Sequence, residues 1–264
     1  MANNQAANKP VILLAGMPRA GTSWFFYLLT DLWKAAGGED ARDLRNSYHL
    51  EKYLSKGSAV VATVLPNLFY ALRPHREGHT YVLKTHDSPA VHRKRVLSRI
   101  VMRWLIDRKV FKPLYIYRDP RDAILSAYEY GIRRKESGNP NLFSFKVQSI
   151  DMGIEWMADE PLVSMRYWMN TPGIFVTSYE DMILNYFEQT AQVISYLGLD
   201  GESQAVKETV QKYRPGVREG ESPVGMHFYK GVAGRYNGVF SEQQKNRCLE
   251  RFGGTLKELG YPLE

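Results

Sequence analysis

Four short runs of aliphatic, β-branched and aromatic residues stand out along the chain: Val11–Gly16, Tyr81–His86, Leu114–Arg118 and Ile174–Tyr179. Their length and composition predict buried strands. Between them the apolar positions take a helical period. Trp24, Leu28 and Leu32 recur every four residues with Phe25, Leu29 and Trp33 beside them, which makes one broad apolar helix face. From Pro89 to Asp107, basic positions alternate with Val91, Leu97, Ile100, Val101, Trp104 and Leu105, predicting a second helix. Further helices are expected over residues 122–135, 152–170, 181–197, 203–213 and 242–259. Strands alternating with helices predict an α/β fold of three layers, with a central, mostly parallel sheet flanked by helices.

The segments 73–80, 137–141 and 214–225 concentrate Pro, Gly and charge and are expected to be loops. Residues 41–79 and 139–170 are expected as insertions between sheet elements. With no internal repeat and no low-complexity linker, a single domain over residues 1–264 is the simpler assignment, residues 1–9 being a flexible N-terminus.

Composition narrows the class. The chain has 264 residues, 44% of them hydrophobic, which excludes a disordered tail or a fibre. The apolar run at 11–16 is far shorter than the ~20 residues that span a bilayer. Neither a secretory signal nor an anchor is visible, and the lone Cys248 forms neither an intramolecular disulfide nor a thiolate metal site. A reducing, cytoplasmic compartment is therefore expected. A net charge of +7 points to an anionic partner without choosing between nucleic acid, an acidic surface and a phosphorylated small molecule.

Gly16-Met17-Pro18-Arg19-Ala20-Gly21-Thr22-Ser23-Trp24 joins the first strand to the first helix. Its glycine spacing is that of a phosphate-binding loop, hence a P-loop-like fold, although Thr22 stands where lysine is usual. Backbone N–H groups and the helix dipole converge at such a turn, and Arg19 adds a full charge. The same pattern also serves a plain tight turn with Gly21 packed closely and Thr22 as cap. Trp24 lies on the apolar face, where packing is its simplest role.

Arg118 ends the third strand and begins Arg118-Asp119-Pro120-Arg121-Asp122. A guanidinium leaving a buried layer requires a carboxylate or a phosphate. Arg118–Asp122 and Arg121–Asp119 surface pairs are the ordinary alternative. Lys84-Thr85-His86 ends the second strand, and of six histidines His86 alone is placed at the end of a central strand. An imidazole of ordinary pKa near ~6.5 can accept a proton there at neutral pH. In open α/β sheets, ligands gather outside the carboxyl ends of the strands, where all three segments would meet.

Together these segments resemble the PAPS-dependent sulfotransferases, PAPS being 3′-phosphoadenosine 5′-phosphosulfate. Residues 18–24 resemble the family's P-K-S-G-T-T-W loop. Residues 117–122 with Ser126 resemble R-N-x-K-D-x-x-x-S, and Lys84-Thr85-His86 resembles K-T-H. Ser178-Tyr179-Glu180-Asp181-Met182 and residues 230–237 are similar to the Y-E-D-M and R-K-G-x-x-G-D-W segments. The resemblance spans about residues 10 to 250 and implies a soluble small-molecule sulfotransferase, of the kind found in natural-product tailoring. It implies that Arg19 neutralises the phosphosulfate, that Ala20, Gly21, Thr22 and Ser23 hold the 5′-phosphate, and that Trp24 stacks on adenine. By the same carry-over Arg118 and Ser126 hold the 3′-phosphate and Tyr179 contacts the nucleotide. Lys230 and Gly231 close over the 3′-phosphate. His86 becomes the base and Lys84 steadies the sulfuryl group. PAP is the implied product, with no metal.

The departures are specific. Arg19 replaces lysine, a planar fork in place of a point donor, which favours charge stabilisation over proton donation. Tyr229 stands where the last motif usually has arginine, and Arg235-Tyr236 replaces Asp-Trp. The family's K-x-x-x-T-V-x-x-x-E dimer motif is not kept, since Asn237, Ser241, Glu242 and Asn246 occupy its positions. A P-loop kinase and a nucleic-acid-binding module remain the alternatives, the second motivated by Arg93, Lys94, Arg95, Arg99 and Arg103. Asp151, Glu155, Asp159 and Glu160 either face a cationic acceptor or form a solvated helix face. No nucleic-acid or membrane partner is expected.

Overall fold

The computed structural model describes residues 9–57, 59–91, 95–216 and 232–263. Four strands form one all-parallel sheet: β1 (Val11–Gly16), β2 (Val82–Thr85), β3 (Phe111–Tyr117) and β4 (Phe175–Ser178), in the order β2-β1-β3-β4. Every residue of β1 is buried, because β1 is central and both its faces are covered. Ile12 pairs with Val82 on one side and Lys112 on the other.

The helices are α1 (Thr22–Ala35), α2 (Ala41–Ser47), α3 (Leu65–Ala71), α4 (Arg73–Arg76), α5 (Val96–Asp107), α6 (Pro120–Glu136), α7 (Leu142–Lys146), α8 (Ile150–Asp159), α9 (Pro161–Met169), α10 (Tyr179–Leu184), α11 (Tyr186–Leu197), α12 (Gln204–Lys212) and α13 (Glu242–Glu258). Helix α1 packs along β1 and β2, and α5 and α9 pack on β3. The core between them holds Phe25, Leu28, Leu32, Met102, Ile116 and Trp168. Among the described residues no helix is long and apolar enough to cross a membrane.

Several boundaries differ from the expected ones. The helix expected from Pro89 begins only at Val96. The helix expected over 152–170 is broken in two at Pro161, whose ring cannot continue an α-helix but suits the first position of the next. The helix expected over 181–197 breaks at Asn185, which caps one helix and opens another. The third strand begins at Phe111, three residues early, since Lys112 and Pro113 pair in register with Ile12 and Leu13. Part of the loop expected at 73–80 is the short helix α4.

Candidate active site

Because the sheet is parallel throughout, Gly16, Thr85, Tyr117 and Ser178 end their strands along a single edge. The chain leaves β1 toward β2 on one side, while β3 lies on the other. The edge outside β1 and β3 is therefore the switch point at which ligands enter open α/β folds.

The loop after β1 is closed by backbone bonds: Met17 N–H donates to the Ile116 carbonyl (2.9 Å) and Ala20 N–H to the Met17 carbonyl (3.2 Å). Arg19 and Gly21 both take left-handed conformations, with φ of 69° and 74°. Glycine is required at 21 for a second reason, since a Cβ there would sit 2.7 Å from Cδ2 of Tyr179. Helix α1 starts at Thr22, and its first N–H groups point into this turn without intrahelical acceptors.

Two cations serve this loop. Lys84 is 3% exposed, and its Nζ donates to Ser23 Oγ at 3.1 Å. Burial, with the repulsion of Arg19 added, lowers its pKa to about 8. Arg19 donates from Nε to Ser126 Oγ at 3.2 Å, and its guanidinium lies 4.3 Å from the Tyr130 ring centroid. Burial lowers its pKa to about 10, which leaves it charged at neutral pH.

A third cation, Arg118, follows β3 and is itself buried, 6% exposed. Its Nη2 donates to the Val232 carbonyl (3.0 Å) and to Asp122 Oδ2 (3.3 Å), and the guanidinium lies 4.4 Å over Tyr179. Its buried Nε has no hydrogen-bond acceptor among the described residues. Tyr179 thus stands between the loop and Arg118, with Gly21 against one part of its ring and Arg118 over its face. Asp122 accepts from the N–H groups of Gly234 (2.7 Å) and Tyr236 (3.0 Å) besides Arg118. The Arg118–Asp122 and Arg121–Asp119 pairs, the ordinary alternative for this segment, both form, but in the interior and not at the surface: Arg121 is 2% exposed, and its Nη2 lies 2.8 Å from Asp119.

His86 stands between the loop and β2, with Nδ1 2.9 Å from the Gly16 carbonyl. A carbonyl only accepts, so Nδ1 carries the proton and Nε2 is the free base. Burial first, then the charge of Lys84, lowers the pKa to about 4, so the ring is neutral throughout the physiological range.

These groups meet in a cavity of about 620 Å³ lined by Arg19, Gly21, Thr22, Ser23, Trp24, His86, Arg118, Ser126 and Tyr179. Ala20 is fully buried beneath the loop and does not line it. Lys84 also stands behind the wall and reaches it through Ser23. Trp24 both lines the cavity and packs: it is 4% exposed, its indole N–H donates to the Tyr213 carbonyl (3.0 Å), and Tyr186 lies beside it. Tyr229, Lys230 and Gly231, with Arg93, Lys94 and residues 1–8, lie outside the described residues.

The sequence reading missed Asp122 as an anchor and Glu129 and Arg133 as wall residues. The signal was present, since 122, 126, 129 and 133 share one face of α6. Arg235, which hydrogen-bonds Glu129 across the wall, had no local signal. The acidic group of α8 does not face an acceptor as a unit. Asp151 and Glu155 pair with Arg247 (3.3 and 2.8 Å) and Asp159 with Arg251 (3.7 Å), both on α13. Glu160 alone reaches the cavity, paired with Lys146 at 3.1 Å.

The fold is similar to that of mouse sulfotransferase SULT7A1 complexed with PAP (TM-score 0.58, 15% identity, covering 95% of this chain and 86% of that one). Retinol dehydratase in complex with androsterone and inactive cofactor PAP matches with a TM-score of 0.55 and 15% identity over 95% of this chain and 82% of that one. Sulfotransferase STF9 from Mycobacterium avium matches at 0.53 and 13% over 98% and 78%. No curated protein matches the sequence. The sulfotransferase domain model matches residues 9–260, the stretch that carries the sheet, the loop after β1, Arg118 and His86, and the chain belongs to that family.

Proposed function

We propose that the protein transfers a sulfuryl group from PAPS to a hydroxyl or amine of a small molecule. The observation that carries this reading is the convergence of a phosphate loop, a second buried arginine and a neutral histidine on one cavity. The donor's two anionic ends call for cations at two points, and the residues fit that need. Arg118 has a buried Nε with no acceptor among the described residues, suited to a 3′-phosphate oxygen, and Ser126 lines the same cavity. The loop from Arg19 to Ser23 suits the 5′-phosphosulfate. Family membership supports the choice of donor, as do neighbours of the same fold crystallised with PAP.

PAPS supplies an activated sulfuryl group whose bond to the bridging phosphate oxygen breaks as sulfur bonds to the acceptor. His86 Nε2 takes the acceptor proton, while the Gly16 carbonyl holds the ring in the tautomer that leaves Nε2 unprotonated. Arg19 faces the charge that gathers on the leaving phosphate. Lys84 acts through Ser23, holding its hydroxyl and adding positive potential behind the loop. The lining also carries Phe143, Trp156, Leu142 and Pro161 beside the paired Lys146 and Glu160, which suits an acceptor with an apolar body.

Thermal shift with PAP, with ATP plus Mg²⁺ and with an oligonucleotide separates this reading from the kinase and nucleic-acid alternatives. Stabilisation by PAP alone, followed by transfer from labelled PAPS to members of an acceptor panel, is expected. Stabilisation by ATP plus Mg²⁺ without PAP binding would refute it.

A further inference from the structure

Helix α5 carries apolar residues on two opposite faces. Ser98, Met102, Leu105 and Ile106 face the core. Val96, Leu97, Ile100 and Trp104 are 53–60% exposed. At 3.6 residues per turn these four fall within about 100° of arc, a stripe and not a scatter. Neighbouring α3 packs beside α5 and carries Phe69, 56% exposed. Such a contiguous apolar strip is unusual on a surface that meets only water.

Its borders are basic. Arg99, Arg103 and Arg108 stand along α5 and its C-terminal cap against one acid, Asp107, which pairs with Arg103 at 2.8 Å, while Arg95 is paired with Asp87 at 2.6 Å. Arg99 and Arg103 flank the stripe on one side, and Arg108 lies on the other, its guanidinium 5.7 Å from the Trp104 ring. Arg76 covers Phe69 at 4.1 Å.

From this combination we infer that α5 is an interfacial docking helix that lays Leu97, Ile100 and Trp104 into the headgroup layer of an anionic bilayer. A lipid surface offers an apolar layer below and negative charge above, the two things this helix presents together. A second copy of the chain would bring the same arginines face to face, and nucleic acid would set phosphates against Ile100 and Leu97. The proposal revises the expectation that the chain has no membrane partner. It is independent of the chemistry assigned to the cavity, though the segment entering α5 contributes Val91 and Arg95 to the cavity wall, so docking would bring that wall toward the surface.

Co-sedimentation of the full chain with vesicles of phosphatidylcholine, alone or mixed with phosphatidylglycerol, tests it. Binding to the mixed vesicles is expected, with a blue shift of tryptophan emission and a loss on added salt. Ile100→Glu combined with Trp104→Glu should weaken that binding by about tenfold or more. Arg103→Gln with Arg108→Gln should weaken it on anionic vesicles only. Both variants should keep the thermal midpoint of the parent, because the substituted side chains are exposed. No vesicle binding, equal binding by parent and variants, or a stripe that is instead covered by self-association or by an acidic protein would overturn it.

Discussion

His86 shows how one hydrogen bond and one environment together define a tautomer and a protonation state. Its Nδ1–H is committed to Gly16, and its pKa is held at about 4, so Nε2 is available without a competing proton. His86→Ala is expected to cut turnover by about 10³-fold or more while PAP affinity by calorimetry changes little. Equal losses in both would remove the base assignment. The free-enzyme pH profile carries a second expectation. Above its pKa of about 8 Lys84 loses its charge, and below about 4 His86 gains one, so kcat/KM should be flat between and fall outside those limits. Lys84→Arg should move the alkaline limb upward. Linkage gives the matching stability trend. His86 is depressed from its ordinary 6.5, so the unfolded chain binds the extra proton as pH falls from 6.5 toward 4, and stability declines across that window.

At the level of elements, the site is made by ends: the start of α1, the start of α6, and the turn at Arg235–Gly238. Asp122 ties the last two together. Fully buried, its carboxylate accepts from Gly234, Tyr236 and Arg118. Asp122→Asn would place an amide N–H against backbone donors, at a cost of about 1–3 kcal/mol. The expected result is a PAPS KM raised about tenfold or more with a smaller change in kcat, read by steady-state kinetics; a kcat loss with unchanged KM would contradict the clamp. The helix breaks at Pro161 and Asn185 belong to this scale as well. Pro161 was legible, because a proline inside a helical pattern ends the helix before it. Asn185 was not, since the apolar period runs on through it into α11.

For the whole molecule, the +7 surplus resolves into separate parts. Arg19, Lys84 and Arg118 lie in or behind the cavity, Arg247 and Arg251 hold α8 to α13, and the arginines of α5 border an exposed apolar stripe. Donor binding at the first group should weaken as salt rises, but only moderately, because buried cations are screened less than surface ones. PAP titrations at increasing NaCl check this, and a salt-independent affinity would contradict it. The sequence by itself determined the alternation of strands and helices, the glycine-spaced loop after the first strand and the three strand-end segments, since periodicity and glycine spacing are local and survive in one dimension. Only the tertiary structure decided that these segments share one edge, that the His86 ring is held neutral with Nε2 unprotonated, that Lys84 lies behind Ser23, and that Asp122 and Glu129 bind the distant residues 234–236. Those outcomes depend on desolvation and on contacts between residues 61 to 114 positions apart, and neither is written in any local pattern.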